Sequence, residues 1–297
     1  MSKKRVFVTG CNGFIGTNFC KMFDSEYDIQ GCDINDVMGN QTWEWHDVSY
    51  NDSYITHVIH EFEPDTIVHF GAMSNIKQSM LQPIDCITTN GVNVLDLYKV
   101  ANSTNVKKII QMSSSAVIDF KSYYGISKHV MEVVSNLYSQ IHGLPIYNLR
   151  LGNVYGPYQF TDTLIPNATS RLLKRQSVQI YGDGNNIRDY IYVADVCNAI
   201  KAIIDCDSPG DCSKPLWVTT GESITTNEMV DNILEAYHRI FPDNTKPVVE
   251  HTDPLASDII GDPLPTSEEW KYIGWEPYYT EHVYNLTNII KWRLSQC

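Results

Sequence analysis

Residues 5–16 of the 297-residue chain read RVFVTGCNGFIG. The first five residues are an apolar, β-branched run that predicts a strand, and the residues after the glycines predict a helix. Gly10 permits a tight turn out of the strand, Gly13 lets the backbone approach a pyrophosphate, and Gly16 lets the helix pack closely. The free N–H groups at the start of a helix attract an anion. The segment therefore predicts a dinucleotide site, and the alternative is a glycine-rich turn that binds nothing.

Asp33 ends the next predicted strand, Tyr27–Asp33, and follows the glycines by about 20 residues. A carboxylate at this place accepts both ribose hydroxyls of NAD and repels the 2′-phosphate of NADP. The following residues, 34–36, read IND and contain no arginine. NAD is therefore the predicted cofactor.

The first half of the chain alternates apolar runs with helical patterns, which is typical of a parallel sheet covered by helices. We predict further strands at 66–70, 108–112 and 146–151, and helices at 90–102 and 127–142. The predicted fold class is α/β, with a Rossmann-type doubly wound parallel sheet.

The pattern changes after residue 156, where turn residues become denser, and a smaller C-terminal substrate-binding region is predicted. A strand–turn–helix is predicted at 180–200 and a helix near 227–239. The two predicted regions alternate along the chain. The NAD-binding domain takes 1–156 plus about 176–205, and the substrate-binding region takes about 157–175 and 206–297.

The segment YGISK places Tyr124 and Lys128 at i and i+4, where a helix brings them to one face. A free tyrosine has a pKa near 10, which is too high for a base at neutral pH. A neighbouring ammonium and an oxidised nicotinamide would lower it, so Tyr124 could take a proton from a sugar hydroxyl. The alternative to a catalytic role is that the two residues form an exposed pair on an amphipathic helix. Tyr123 lacks a lysine four residues later and is expected to be a wall residue.

A hydroxyl that donates to the substrate oxygen is expected from Ser113, Ser114 or Ser115, because they follow a buried strand. Serine clusters at strand ends are usually turn formers. The carboxyl edge of a parallel sheet is also where ligands bind, which supports the functional interpretation.

The formal net charge of −13 argues against nucleic acid and anionic membranes as partners. No apolar run approaches the roughly 20 residues of a membrane span. The eight cysteines are scattered and show no CxxC pair, which favours reduced thiols and a cytoplasmic protein. The nine histidines show no HxxxH or HExxH grouping, so no metal site is predicted.

Together these motifs resemble the extended short-chain dehydrogenase/reductase family, in particular its NAD-dependent epimerase/dehydratase branch. The resemblance runs from about residue 4 to residue 275, and its marks are TGCNGFIG, VHFGA, the serine-rich strand end, YGISK, LRLGNVYGP and RDYIYVADV. It implies a catalytic set of Ser114, Tyr124 and Lys128, with Ser113 and Ser115 as alternatives to Ser114.

The resemblance also implies the residues that bind ligands. Implied cofactor contacts are Gly10, Gly13, Phe14, Ile15, Gly16, Asp33, Asn35, Asp47, Val48, Phe70, Gly71, Ala72, Ser74, Asn90, Tyr124 and Lys128. Implied substrate contacts are Ser114, Tyr124, Asn153 and Arg188, with the arginine on a diphosphate. The implied substrate is a nucleotide-sugar, a UDP-sugar first among them. The helices at 90–102 and 127–142 resemble those that form a homodimer contact in relatives, or they are simply buried against the sheet.

Dehydratases of this branch carry an Asp-Glu pair after the catalytic hydroxyl, whereas Ser115 and Ala116 follow Ser114 here. A 4-epimerase that oxidises a sugar carbon transiently is therefore the favoured activity. A nucleotide-sugar dehydratase, an NAD-dependent sugar dehydrogenase and a catalytically idle NAD-binding sensor are the alternatives. Two departures stand out: a short loop of ten positions from Ser114 to Tyr124, and no arginine in the stretch HTDPL at 251–255.

Overall fold

The computed structural model describes residues 3–36, 41–159, 163–244, 247–254 and 263–296. The strands are β1 Arg5–Thr9, β2 Asp28–Asp33, β3 Glu44–Asp47, β4 Thr66–His69, β5 Lys108–Ser114, β6 Ile146–Leu151, β7 Asn153–Tyr155, β8 Val178–Tyr181, β9 Ile187–Tyr192, β10 Leu216–Val218, β11 Ser223–Thr225 and β12 Val249–Thr252. The helices are α1 Phe14–Phe23, α2 Ser53–Phe62, α3 Ile76–Leu81, α4 Pro83–Ile87, α5 Val94–Asn102, α6 Tyr123–His142, α7 Leu164–Leu173, α8 Val193–Asp205, α9 Thr226–Ile240, α10 Trp270–Ile273 and α11 His282–Ser295.

Seven parallel strands form the central sheet in the order β10-β6-β5-β4-β1-β2-β3, which confirms the predicted Rossmann-type class. Thr9 pairs with Cys32 on one side and with His69 on the other. Because parallel strands end at the same edge, the loops after β1, β2 and β4 meet there. That edge is the place where the predicted cofactor residues follow their strands.

The predicted helix at 127–142 begins earlier in the structure, at Tyr123. The cause is Ser122, whose hydroxyl accepts the N–H of Gly125 at 3.1 Å and caps the first turn. Gly125 also packs so closely that an added Cβ would lie 2.3 Å from the Ala116 carbonyl oxygen. Tyr124, the predicted catalytic tyrosine, therefore lies in the first turn of α6, next to the end of β5.

The predicted helix at 90–102 is divided in two. A π turn spans Thr88–Val92, and α5 follows from Val94. Single π turns within helices occur often at functional sites. This one carries Asn90, which is fully buried.

Two compact units divide the chain. The first comprises Met1–Leu151, Cys197–Val218 and Ser267–Trp275, and the second comprises Gly152–Val196, Thr219–Thr266 and Glu276–Cys297. These bounds differ from the predicted ones, which assigned about 176–205 to the NAD-binding domain. The difference arises because β8 and β9 pair only with β12, β7 and β11 among the described strands, whereas β10 joins the central sheet.

The second unit has its own apolar core, where α9 packs against α7 and α11. A capping box starts α9, since Thr225 and Glu228 bond each other's backbone N–H groups. Asp189 in β9 is buried and accepts the N–H groups of Thr220 at 3.0 Å and Gly221 at 2.8 Å. This buried carboxylate fixes the loop between β10 and β11.

Candidate active site

The glycine loop has the geometry that its three glycines predict. Gly10 has φ +69, and a Cβ there would lie 2.7 Å from the backbone N of Gly71. A Cβ at Gly16 would lie 2.1 Å from the Gly10 carbonyl oxygen. Gly13 differs, since its φ of −70 suits any residue and the nearest obstacle to a Cβ is 3.3 Å away. The fold therefore requires glycine at positions 10 and 16, and Gly13 leaves the loop surface without a side chain.

The start of α1 is open to an anion. Gly13 is the N-cap and provides no side-chain hydrogen bond to the first turn. Gly13, Phe14 and Ile15 are half-buried. The N–H groups of a first helical turn lack partners within the helix, so they suit a pyrophosphate oxygen.

Asp33 ties this loop to the end of β2. Its carboxylate accepts the backbone N–H of Asn12 at 2.9 Å and two bonds from Asn35, from the backbone N at 2.9 Å and from Nδ2 at 3.0 Å. Asn12 Nδ2 in turn donates to the Asn35 carbonyl at 2.7 Å. Asp33 is buried, so the carboxylate is fixed in place, and three of its about four lone-pair sites are used, which leaves one on Oδ2 for a ribose hydroxyl.

Two further predicted contact regions flank this loop. Asp47 ends β3 opposite Asp33, and it is exposed, while Val48 packs partly against the core. Phe70, Gly71, Ala72 and Ser74 follow β4, where the Phe70 N–H donates to the Thr9 carbonyl at 2.9 Å. These residues line the same sheet edge as the glycine loop.

Asn90 holds the loop after β4 in place. Its side chain accepts the N–H of Met73 at 2.8 Å and donates to the Met73 carbonyl at 3.0 Å. It also donates to Ser127 of α6 at 2.9 Å. The structure thus places Asn90 as a clamp between this loop and α6, with its polar atoms directed to the protein.

Ser114 and Tyr124 meet at the carboxyl end of β5. The Tyr124 side chain hydrogen-bonds the Ser114 side chain. The Ser114 hydroxyl also accepts the N–H of Ala116 at 3.2 Å. Ser113 is engaged elsewhere, because its hydroxyl donates to Glu132 at 2.5 Å. Of Ser113 and Ser114, it is therefore Ser114 that contacts Tyr124.

Lys128 lies one turn after Tyr124 and is buried. Its ammonium donates to the Met112 carbonyl at 2.7 Å, which ties α6 to β5. Burial lowers the pKa of Lys128 to about 8, while Cys86 and Glu132 act in the opposite direction. The lysine is therefore mostly charged at neutral pH.

Burial raises the pKa of Tyr124, and the hydrogen bond with Ser114 opposes this rise. Desolvation disfavours a phenolate, so Tyr124 is a protonated phenol near pH 7. The predicted lowering depends also on the charge of an oxidised nicotinamide, and it stays a prediction.

Of the predicted substrate residues, Asn153 and Arg188 lie in the second unit. Asn153 is exposed at the start of β7 and pairs with Tyr190. Arg188 lies in β9, where Nη1 donates to the Ile187 carbonyl at 2.7 Å. The adjacent Asp189 carboxylate holds the Thr220–Gly221 backbone described above.

The residues that hold the predicted catalytic set were not predicted from the sequence. Glu132, Arg150 and Ser79 were not singled out, although Ser79 accepts the Tyr124 N–H at 3.2 Å. A signal was present for Glu132, which stands four residues after Lys128 on the same helical face. Ser79 gave no signal, since only the fold brings α3 to α6.

Within the described ranges, no group of three His, Cys, Asp or Glu side chains is placed to hold a metal ion. Over the same residues, no helix has the length and apolar character that a bilayer crossing requires.

Comparison with known proteins places these features in context. The sequence profile of the NAD dependent epimerase/dehydratase family matches residues 6–213. A UDP-glucose 4-epimerase of Mycolicibacterium smegmatis is 25% identical over 301 residues, covering 92% of this chain and 93% of that protein. A dTDP-glucose 4,6-dehydratase of an Actinoplanes species is 28% identical over 186 residues, covering 58% of this chain and 57% of that protein.

Solved structures show the same fold. The UDP-glucose 4-epimerase of Thermotoga maritima, determined with UDP-glucose, superposes with a TM-score of 0.86 at 25% identity. The match covers 98% of this chain and 99% of that one.

Proposed function

This chain belongs to the NAD-dependent epimerase/dehydratase family, and from that premise we propose that it is a nucleotide-sugar 4-epimerase. The observation that carries the proposal is the contact between Ser114 and Tyr124, with Lys128 buried one turn away. No carboxylate accompanies this set at the usual dehydratase position, where Ser115 and Ala116 stand.

The residues at the sheet edge fit NAD. The open first turn of α1 suits the pyrophosphate, and the fixed Asp33 carboxylate suits an unphosphorylated adenosine ribose. When bound, NAD supplies a hydride acceptor and a positive ring charge that favours the Tyr124 phenolate. The loops at Asp47–Val48 and Phe70–Ser74 are proposed to contact the adenine and the nicotinamide sides.

The chain's own residues handle the proton. Tyr124 takes the proton of the sugar 4-hydroxyl while the C4–H bond breaks and its electron pair leaves as hydride, which gives a 4-keto sugar. Ser114 donates a hydrogen bond to that oxygen, and the Lys128 ammonium stabilises the phenolate. Tyr124 would give the proton back to this oxygen when C4 is reduced from its opposite face, so the epimerisation would need no net oxidant.

A UDP-sugar is the proposed substrate, because the epimerases that this chain resembles over nearly its whole length are named for UDP-sugars. Arg188 and Asn153 are proposed to bind the diphosphate and the sugar, and a guanidinium suits a diphosphate through charge-assisted hydrogen bonds. The dehydratase relative matches a shorter part of the chain.

The test uses the purified protein without added cofactor, incubated with UDP-glucose or UDP-N-acetylglucosamine and followed by proton NMR. We expect the 4-epimer to appear and the absorbance of NADH to stay constant. Tyr124→Phe should lower turnover by about 100-fold or more, since general acid–base catalysis contributes at least that much. Tyr123→Phe is the matched control, because it removes the same hydroxyl from the preceding residue, which is 38% exposed.

Three other outcomes would overturn the proposal. Loss of water to a 4-keto-6-deoxy sugar would indicate a dehydratase. Accumulation of NADH on addition of NAD would indicate a sugar dehydrogenase. Binding of NAD with no conversion of either sugar would indicate a sensor.

The assembly is proposed to be a homodimer through α6 and the π turn before α5. On α6, Val133, Leu137 and Ile141 repeat at four-residue spacing and are 54%, 56% and 66% exposed. Val92 of the π turn is 51% exposed. An apolar stripe of this kind suits a second copy of the same helix face.

The proposed compartment is the cytoplasm. Five of the described cysteines are buried, and burial raises the pKa of the Cys11 thiol to about 12. Protonated, buried thiols fit a reducing environment.

A further inference from the structure

A buried ion pair stands directly behind the catalytic set. Arg150 donates to Glu132 through Nε at 2.9 Å and through Nη2 at 2.7 Å, and Ser113 donates to the same carboxylate at 2.5 Å. The Glu132 side chain is 6% exposed and that of Arg150 is 21% exposed. The carboxylate therefore receives three hydrogen bonds in a desolvated place.

These residues join the elements that carry the catalytic groups. Ser113 of β5 pairs with Arg150 of β6, and Ser113 precedes Ser114 in the chain. Glu132 of α6 stands one turn after Lys128. The Arg150 guanidinium lies 5.2 Å from the ring centre of Trp217 in β10, which holds it from the other side.

Stability alone does not account for such a pair. Burying two charges costs several kcal/mol, and apolar residues of similar volume often give an equally stable core. A buried charge next to a catalytic lysine has a second effect, because an opposite charge nearby favours the ammonium. The pair also fixes the last strand residue before Ser114 against α6.

We propose that Glu132, held by Arg150 and Ser113, is a positioning residue that keeps the Lys128 ammonium charged and aligned beside Tyr124. The inference deepens the proposed epimerase function and rests on it. Glu132 touches neither substrate nor cofactor in this scheme and acts through Lys128.

Two groups raise the pKa of Lys128, Cys86 of α4 and Glu132 of α6, with the larger effect from Cys86. Lys128 in turn lowers the pKa of His69 in β4, which burial brings to about 3, so the imidazole is neutral near pH 7. Met131 adds a sulfur 4.0 Å from the Lys128 ammonium. Glu132 lies one turn from Lys128 on the same face of α6 and is thus placed to oppose the desolvation of the ammonium.

The test is to follow the titration of Lys128 by NMR in protein carrying lysine labelled with 13C at Cε, as purified with its cofactor. Lys128→Met identifies the signal by its disappearance. In Glu132→Gln we expect the Lys128 midpoint to fall by about one pH unit. The alkaline limb of the epimerase rate should move to lower pH by a similar amount.

Two control variants separate charge from packing. Ser113→Ala removes one hydrogen bond to Glu132 but keeps the carboxylate, so the Lys128 midpoint should stay near that of the wild type. Glu235→Gln removes an acid from an exposed pair with Arg239, and it should leave both the midpoint and the turnover unchanged.

An unchanged Lys128 midpoint in Glu132→Gln would overturn the proposal, even if the melting temperature and turnover fell at every pH. Should that variant not fold, the double variant Glu132→Gln, Arg150→Gln leaves no unpaired buried charge, and it must show the same lowered midpoint. The midpoint is measured without substrate. A wild type that titrates as expected but converts no nucleotide-sugar would overturn the proposed function and not the electrostatic role of Glu132.

Discussion

At the scale of single residues, Asp33 performs two tasks with one carboxylate. It fixes the glycine loop through the Asn12 N–H, and its remaining lone pair is proposed to accept a ribose hydroxyl. Replacing Asp33 with a neutral side chain of the same shape would show the effect of its charge without a change of size. The charge is the part that repels a 2′-phosphate, so it decides the choice between NAD and NADP.

Asp33→Asn should therefore weaken NADH binding by about 10- to 100-fold, the value of one or two hydrogen bonds to a charged group. Binding of NADPH should weaken less, so that the discrimination between the two cofactors narrows. Fluorescence titration with both cofactors measures this. Asp36→Asn, an exposed acid three positions on, is the control, and equal NADH affinity in both variants would contradict the expectation.

His69 should make the protein labile in acid. Its Nδ1 lies 2.6 Å from Thr9 Oγ1, and burial lowers its pKa from 6.5 to about 3. Between those values the unfolded chain binds a proton and the native chain does not. Acid therefore favours unfolding, and the stability from this group is complete above pH 6.5 and lost as the pH falls toward 3.

The variant His69→Asn keeps a polar atom for Thr9 and does not titrate. We expect the free energy of unfolding of the wild type to drop by about 2 kcal/mol more than that of the variant between pH 7.5 and pH 5. Urea denaturation at both pH values measures the difference. Parallel losses in the two proteins would mean that His69 is protonated in the native state.

Sequence spacing was sufficient to find Tyr124 and Lys128, because the i, i+4 relation is local to one helix. It left three serines open, since only the contacts of Ser113 with Glu132 and of Ser114 with Tyr124 distinguish them. The direction of the Tyr124 pKa was also beyond the sequence, because burial depends on the fold. The roles of the individual catalytic, cofactor and substrate residues stay predictions.

At the scale of elements, the glycine loop contains two kinds of glycine. A Cβ at Gly10 or Gly16 would lie within 3.0 Å of backbone atoms, whereas a Cβ at Gly13 would lie 3.3 Å from the Gly10 carbonyl oxygen, a tight contact that a small shift can relieve. The β1–α1 unit was predictable because strand pattern, glycine spacing and helix pattern agree over a short stretch. The break at Thr88–Val92 was not, since a π turn keeps the apolar pattern of a helix.

Gly13→Ala should fold with unchanged or slightly raised stability, because its backbone conformation suits alanine. It should nonetheless lose NAD affinity by about 10-fold or more, since a methyl group would occupy the loop surface that the pyrophosphate approaches. Gly16→Ala is the contrasting variant. Its Cβ would meet the Gly10 carbonyl oxygen, and overpacking of this kind costs about 1–3 kcal/mol.

Melting temperature and NAD titration measured on both variants test the distinction. A Gly13→Ala protein that melts much earlier than the wild type would contradict it, as would one that binds NAD normally.

At the scale of the whole molecule, two units alternate along one chain. The sequence indicated a change of character near residue 156, and the first crossing lies close to it, after Leu151. The chain returns to the first unit after Val196, whereas the predicted NAD-binding domain resumes at about residue 176. Helix α8 begins in the second unit and ends in the first, and pairing of β9 with β7 could not be read from a local pattern.

The proposed homodimer yields a prediction at this scale. Leu137→Asp places a charge in the apolar stripe of α6 and should convert a dimer to a monomer in analytical ultracentrifugation. Ser295→Asp, at an exposed position of α11, adds the same charge away from the α6 stripe and is the control. A wild type that sediments as a monomer would refute the assembly.

The strand β10 lies far after its partner β6 in the sequence, and this has a consequence for biosynthesis. Residues 216–218 complete the sheet beside β6, so a ribosome has to translate some 70 further codons after β6 before that strand's outer edge is covered. An uncovered parallel edge is a template for pairing with other chains. The nascent polypeptide therefore passes through an aggregation-prone interval, and a chaperone that shields it should raise the yield of soluble enzyme.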